Sequence, residues 1–352
     1  MLYGHAFDAL LAPEYRAGAL YDVWQFQRGL TSCLFLLLSG FAFSIATARH
    51  WATQVKFSPA LLKRVRRFGL FVVLGYALHF PVYHLRELPT ATDEQWRTFL
   101  AVDVLQLIGV TFLGVQLLVM VTRSRGVFMR VTLVLAAAVA LFTPRLWMVE
   151  WSQSLPLWLA AYFSPNTGSQ FPLPPWASFV LVGAGLGQVY ARWGAAHLFS
   201  YANWILLAPG AAMIAASFAL AALPFSLFPG PGGFVPGQIL LRTGTCLLIL
   251  GGVAHASRRM QGLPHVFGAV AQESLLIYFV HLCIVYGSIW NTGLAQMYGT
   301  TLTPREMLVA VVLLVAAMTA LAWYWNWWKH TRPRAARWMS VAAGAILVYR
   351  LI

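Results

Sequence analysis

Residues 99–121 read FLAVDVLQLIGVTFLGVQLLVMV, and in that run the one charged residue is Asp103. A helix needs about 20 mostly apolar residues to cross ~30 Å of hydrocarbon, so this stretch is long enough to span. Its apolar residues are continuous rather than alternating, which argues for a helix and against a strand of a membrane barrel. Working outward, eight more stretches have the same character: 29–48, 67–84, 127–146, 174–191, 203–223, 236–256, 265–290 and 305–328. Residues 1–10 are apolar, but ten residues rise only ~15 Å, so they read as a truncated first span. Residues 338–352 read as a short apolar terminal helix. The expected fold is all-α: a polytopic transmembrane helix bundle of about nine full spans with those two partial helices. No internal repeat or linker divides it, so 1–352 reads as a single transmembrane domain.

Composition agrees. Of 352 residues, 60% are hydrophobic and 10% charged, against roughly 25% charged in a soluble domain. Mean hydropathy is +0.69. These values exclude a soluble enzyme, a disordered tail and a secreted disulfide scaffold. Cys33, Cys246 and Cys283 fall within the stretches read as spans and suit apolar packing better than a disulfide set or a metal site; no metal is expected. No cleavable signal peptide is visible at the start.

The net charge of +14 comes from 24 Lys and Arg against 10 Asp and Glu. Alternating nine spans puts sixteen of the basic loop residues on one side and six on the other. The richer side, with Lys63, Arg64, Arg66, Arg67, Arg258 and Arg259, is cytoplasmic by the positive-inside rule. The charge is thus read as orientation, with membrane lipid rather than nucleic acid as the expected partner; no continuous basic patch is present. The cluster Trp323, Tyr324, Trp325, Trp327, Trp328 and Lys329 reads as an aromatic belt with a basic anchor. Gly183 and Gly187 form a small-xxx-small pair that favours close helix packing.

Ionisable residues inside spans are costly and therefore point to function. His5 and Asp8 are three apart and share a helix face, a spacing that lets a carboxylate orient an imidazole for general-base work. His79, Asp103, Gln106, Arg242, Tyr278 and His281 all fall in the outer halves of their segments under this topology, and are candidate substrate-binding residues. Glu273 lies deeper. Each also has a plain structural reading: a satisfied interhelical pair, an interfacial hydrogen bond, or, for Arg242, an ion pair with Asp103 or Glu273.

Several blocks resemble a known family. GHAFDALLAPEYR (4–16), Arg28-Gly29, LFLLLSGFAFSIA (34–46), Asp103-Val-Leu-Gln106, SQFPLPPWASFVLVGAGLG (169–187) and ESLLIYFVHLCIVY (273–286) occur in the order found in bacterial members of the heparan-α-glucosaminide N-acetyltransferase family. That family is related to acyltransferase family 3. The resemblance implies an integral membrane acyltransferase of a bacterial inner membrane. It would move an acyl group, in particular acetyl, from cytoplasmic acyl-CoA to an amine or hydroxyl of an extracytoplasmic acceptor, with a sugar expected. The family's first-span histidine carries over to His5 as catalytic residue, with Asp8 beside it. Arg64, Arg66 and Arg67 would bind the phosphates of acetyl-CoA, although basic residues at an inner face are also ordinary topology determinants. Two alternatives stay open on the residues alone: a proton-coupled secondary transporter of a sugar or lipid precursor, and a catalytically degenerate membrane paralogue.

Overall fold

A computed structural model of the chain describes residues 1–222, 236–260 and 262–349. Residue 223 of the expected 203–223 stretch, and residues 350–352 of the terminal helix, lie outside the described residues. Among the described residues the regular elements are helices, with isolated bridges at Leu11–Leu302 and Ser288–Asn291.

Six helices are long and apolar enough to cross a membrane: Ala19–Arg49 (α2), Val104–Thr122 (α4), Arg125–Trp147 (α5), Leu198–Ala221 (α7), Pro236–Arg259 (α8) and Pro304–Thr331 (α11). A bent pair, His265–Gln272 (α9) and Ser274–Tyr286 (α10), turns by 72° and makes up to seven. The chain is therefore an integral multi-pass membrane protein. Two of the nine expected spans are helices of a different kind. Pro59–Leu78 (α3) starts before Lys63, Arg64, Arg66 and Arg67, so its uncharged part is short. Leu173–Val189 (α6) has 17 residues, a rise of about 26 Å, and is buried along nearly all its length. The first expected full span also begins earlier than the apolar run, because α2 continues back through Ala19–Arg28, which carries Asp22, Gln25, Gln27 and Arg28.

The helices group into two compact units. In the first (1–28, 77–99 and 261–352), a nine-residue helix Leu2–Leu10 (α1) buries Ala6, Ala9 and Leu10 against Val285, Met307, Leu314 and Met318 of α10 and α11. A short parallel bridge ties its end: Ala12 N–H donates to Leu302 O at 3.0 Å, and Leu302 N–H to Leu10 O at 2.9 Å. Helix α11 starts with Pro304 at its first position and a capping box, in which Thr303 N–H and Oγ1–H donate to Glu306 Oε2 at 2.9 and 2.8 Å; this satisfies orphan donors at the helix start. Pro333–Tyr349 (α12) closes the unit, and Trp290 Nε1–H reaches its Leu347 O at 3.0 Å.

The bend between α9 and α10 falls at Glu273, which is buried. Its Oε1 accepts from Lys329 Nζ at 2.5 Å and Asn326 Nδ2 at 3.1 Å. Removing one partner of a buried pair costs about 3–5 kcal/mol, because the remaining charge is stranded. Lys329 keeps 40% of its side chain exposed, so Lys329→Ala is expected to destabilise by less, about 2 kcal/mol. Thermal unfolding of the purified protein measures this as a lowered midpoint that Lys329→Arg restores.

In the second unit (29–76 and 100–260), α6 is the central helix. Gly183 and Gly187 face α2 so closely that a Cβ at 183 would overlap the Leu37 carbonyl, and one at 187 would come within 2.6 Å of Phe41 O. The backbone contact this allows is the favoured mode of helix association where water supplies no driving force. Ser44 Oγ–H reinforces it by donating to Ala184 O at 2.6 Å.

Candidate active site

The first unit holds a four-ring cluster around His5. The His5 ring lies 5.2 Å from the His281 ring, 5.8 Å from Tyr286 and 6.4 Å from Tyr278, centroid to centroid. Both tyrosines meet it edge-on, at 85° and 81°. Its Nδ1 is 3.3 Å from the Tyr286 hydroxyl, which also donates to the His5 carbonyl at 3.4 Å. Helix α1 brings His5 here because its small residues Gly4 and Ala6 bury on either side of it. Helix α10 presents Tyr278, His281 and Tyr286 because His281 lies three and Tyr286 eight residues after Tyr278, spacings that leave both within a quarter turn of it.

His281 is 1% exposed. Its Nδ1 lies 2.7 Å from the Ile277 carbonyl. A carbonyl only accepts, so Nδ1 carries the proton, and in the neutral ring Nε2 holds a lone pair. That Nε2 is buried and has no hydrogen-bond partner among the described residues. A buried base with an open acceptor position, next to a second imidazole, can take and relay a proton.

Asp8 has a different partner from the one its spacing suggests. Its carboxylate forms an ion pair with Arg28, from the start of α2. Arg16 closes the end of α1 by donating to Asp8 O at 2.9 Å and Leu11 O at 2.7 Å, which satisfies carbonyls that a helix end leaves free. Asp8 therefore fixes α1, and His5 with it, through Arg28. His79 is half-buried just beyond α3, in the same unit.

The other expected residues belong to the second unit. Asp103 caps α4: its Oδ1 accepts from Val104 N–H at 2.6 Å, and Gln106 Oε1 accepts from Asp103 N–H at 3.3 Å. Gln106 is fully buried, and its Nε2 has no acceptor among the described residues, a condition that costs about 1–3 kcal/mol unless a ligand or water fills it. Arg242 lies against Gly29, where a Cβ would collide with its guanidinium. Of the two carboxylates weighed as its ion-pair partner, Asp103 belongs to the same unit, and Glu273 holds Lys329.

The three basic candidates separate. Arg64 is engaged internally: it donates to Gln54 Oε1 at 3.1 Å, Gln116 Oε1 at 3.3 Å and Phe43 O at 3.2 Å, with the Phe43 ring 4.3 Å from its guanidinium carbon. Arg66 and Arg67 are exposed.

Tyr286, Arg16 and Arg28 are contributors to which reading the sequence gave no role at the site. Tyr286 closes the quoted block at 273–286, but nothing local links it to a histidine 281 positions earlier.

A family model described as heparan-alpha-glucosaminide N-acetyltransferase, catalytic, matches residues 1–222. No curated protein and no solved structure matches the chain.

Proposed function

The chain belongs to the heparan-alpha-glucosaminide N-acetyltransferase family, a membership that makes it a membrane acetyltransferase; we propose that the His5–His281 pair carries out its transfer step. The donor is acetyl-CoA at the arginine-rich cytoplasmic face, and the acceptor is an amine or hydroxyl, taken to be that of a sugar, on the opposite side of a bacterial inner membrane. The observation that carries this reading is the pair of imidazoles 5.2 Å apart on α1 and α10, one with a fixed tautomer and an open lone pair.

In the proposed reaction His5 acts as general base, or briefly accepts the acetyl group itself. The acceptor nitrogen or oxygen attacks the thioester carbonyl and gives up its proton to the imidazole pair. The C–S bond breaks, and the departing CoA thiolate takes that proton. Tyr278 and Tyr286 hold the His5 ring, and the Asp8–Arg28 pair holds its helix. Arg66 and Arg67 are the candidates for the CoA phosphates, because both are exposed and a guanidinium matches phosphate geometry. Arg64 is left to anchor α3. Gln106 Nε2 and Arg242 are candidate donors to substrate oxygens, and His79 and Asp103 remain candidates for acceptor binding.

Sealed proteoliposomes test this. With acetyl-CoA on the arginine-rich side and glucosamine on the other, the expected result is free thiol on the donor side and N-acetylglucosamine opposite. Passage of labelled substrate without release of thiol would favour the transporter reading.

A further inference from the structure

A groove of about 440 Å³ opens on the first unit. Its walls are Leu10 from the end of α1, Leu294 and Tyr298 from the five-residue helix Leu294–Tyr298, Leu302 from the loop that follows it, and Val309, Ala310 and Leu313 along α11. Two lining residues are charged, Arg305 and Glu306, both in the first turn of α11. Their situations differ. The Glu306 carboxylate is engaged by Thr303 N–H and Oγ1–H. Arg305 is exposed and makes no hydrogen bond or ion pair with any described residue.

We infer that this groove holds one acyl chain of an anionic glycerophospholipid, with its phosphate paired to Arg305. Three observations converge on that occupant. The walls are aliphatic apart from the charged pair at one end and the Tyr298 side chain. The groove lies on a helix whose neighbouring residues Leu308, Val312 and Leu313 are 64%, 57% and 63% exposed, the mark of a lipid-facing side in a membrane-spanning helix. A free cation sits at the helix's first turn, where a span meets the headgroup layer, while the local carboxylate is already satisfied. Anionic headgroups attract basic residues at that level, and the volume falls in the range of pockets that enclose a small ligand.

The placement also gives the lipid a role. Leu10 is the last residue of α1, and Leu302 is its bridge partner. A chain in the groove thus packs against the end of the helix that carries His5. The proposal needs the membrane location of the chain but not the catalytic reading, so either can fail without the other.

Native mass spectrometry of the full-length protein, delipidated in detergent and titrated with phosphatidylglycerol or phosphatidylcholine, tests it. Wild type is expected to retain phosphatidylglycerol preferentially. Arg305→Gln is expected to lower that affinity about fivefold, while Arg305→Lys keeps it. Ala310→Trp, which fills the groove, is expected to displace both lipids. Because the Arg305 side chain has no described internal partner, its variants should melt at the wild-type temperature. Equal retention of the two lipids by wild type would overturn the proposal, and that comparison needs no variant. So would an Arg305→Gln protein with unchanged preference, or displacement of the lipid by glycerol phosphate alone.

Discussion

His5→Ala is expected to reduce acetyl transfer by about 100- to 10,000-fold, the usual contribution of a positioned acid–base group. The loss should fall on kcat rather than on KM for acetyl-CoA, because the imidazole acts on the reacting atoms and not on the CoA phosphates. Stability should change little: the ring's hydrogen bond to Tyr286 is long, at 3.3 Å, and α1 is held independently by Ala6, Ala9 and Leu10, by the Leu302 bridge and by the Asp8–Arg28 pair. Tyr286→Phe removes that hydrogen bond but keeps the edge contact, so its expected effect is far smaller. Rates from thiol release, with melting curves of the same preparations, separate a chemical loss from a folding loss.

Gly183→Val is expected to have the largest effect on folding, about 3 kcal/mol or more, at the upper end of overpacking substitutions. The obstacle at this position is the Leu37 carbonyl, and Phe41 N lies 3.0 Å from the same hypothetical Cβ. Backbone atoms cannot swing aside as a flexible side chain can, so α2 and α6 would have to separate. Separation would also break the Ser44–Ala184 hydrogen bond. Gly114, on α4, has open space where its Cβ would stand, so Gly114→Ala is the matched control and should be tolerated. Yield of monodisperse protein and its unfolding midpoint measure both.

What could be read from the chain was whatever depends on local composition. The 99–121 run forms a helix at Val104–Thr122 because its apolar residues are uninterrupted and Asp103 stops it from starting sooner. The Gly183–Gly187 spacing announced close packing, since four residues bring both glycines to one helix face. Tyr278 and His281 were legible for the same reason. Long-range partnerships were not. Helical spacing offered Asp8 to His5, but a carboxylate binds a guanidinium more strongly than a neutral imidazole, and α2 extends far enough back to deliver Arg28. Arg64 looked like its neighbours Arg66 and Arg67, yet only the fold surrounds it with Gln54, Gln116 and the Phe43 ring. The break at Glu273 was hidden because an apolar run gives no sign of a bend. The carboxylate at the break is buried and held by Lys329 and Asn326, which lie more than fifty residues further along the chain.

The central claim is that His5 and His281 work as one unit in acetyl transfer. The most direct measurement is a single-turnover cycle on purified protein with acetyl-CoA and an amine acceptor, comparing His5→Ala, His281→Ala and the double variant. Groups that act together are non-additive, so each single variant is predicted to lose nearly as much rate as the double. Losses that simply multiply, or wild-type rates in either single variant, would contradict the account.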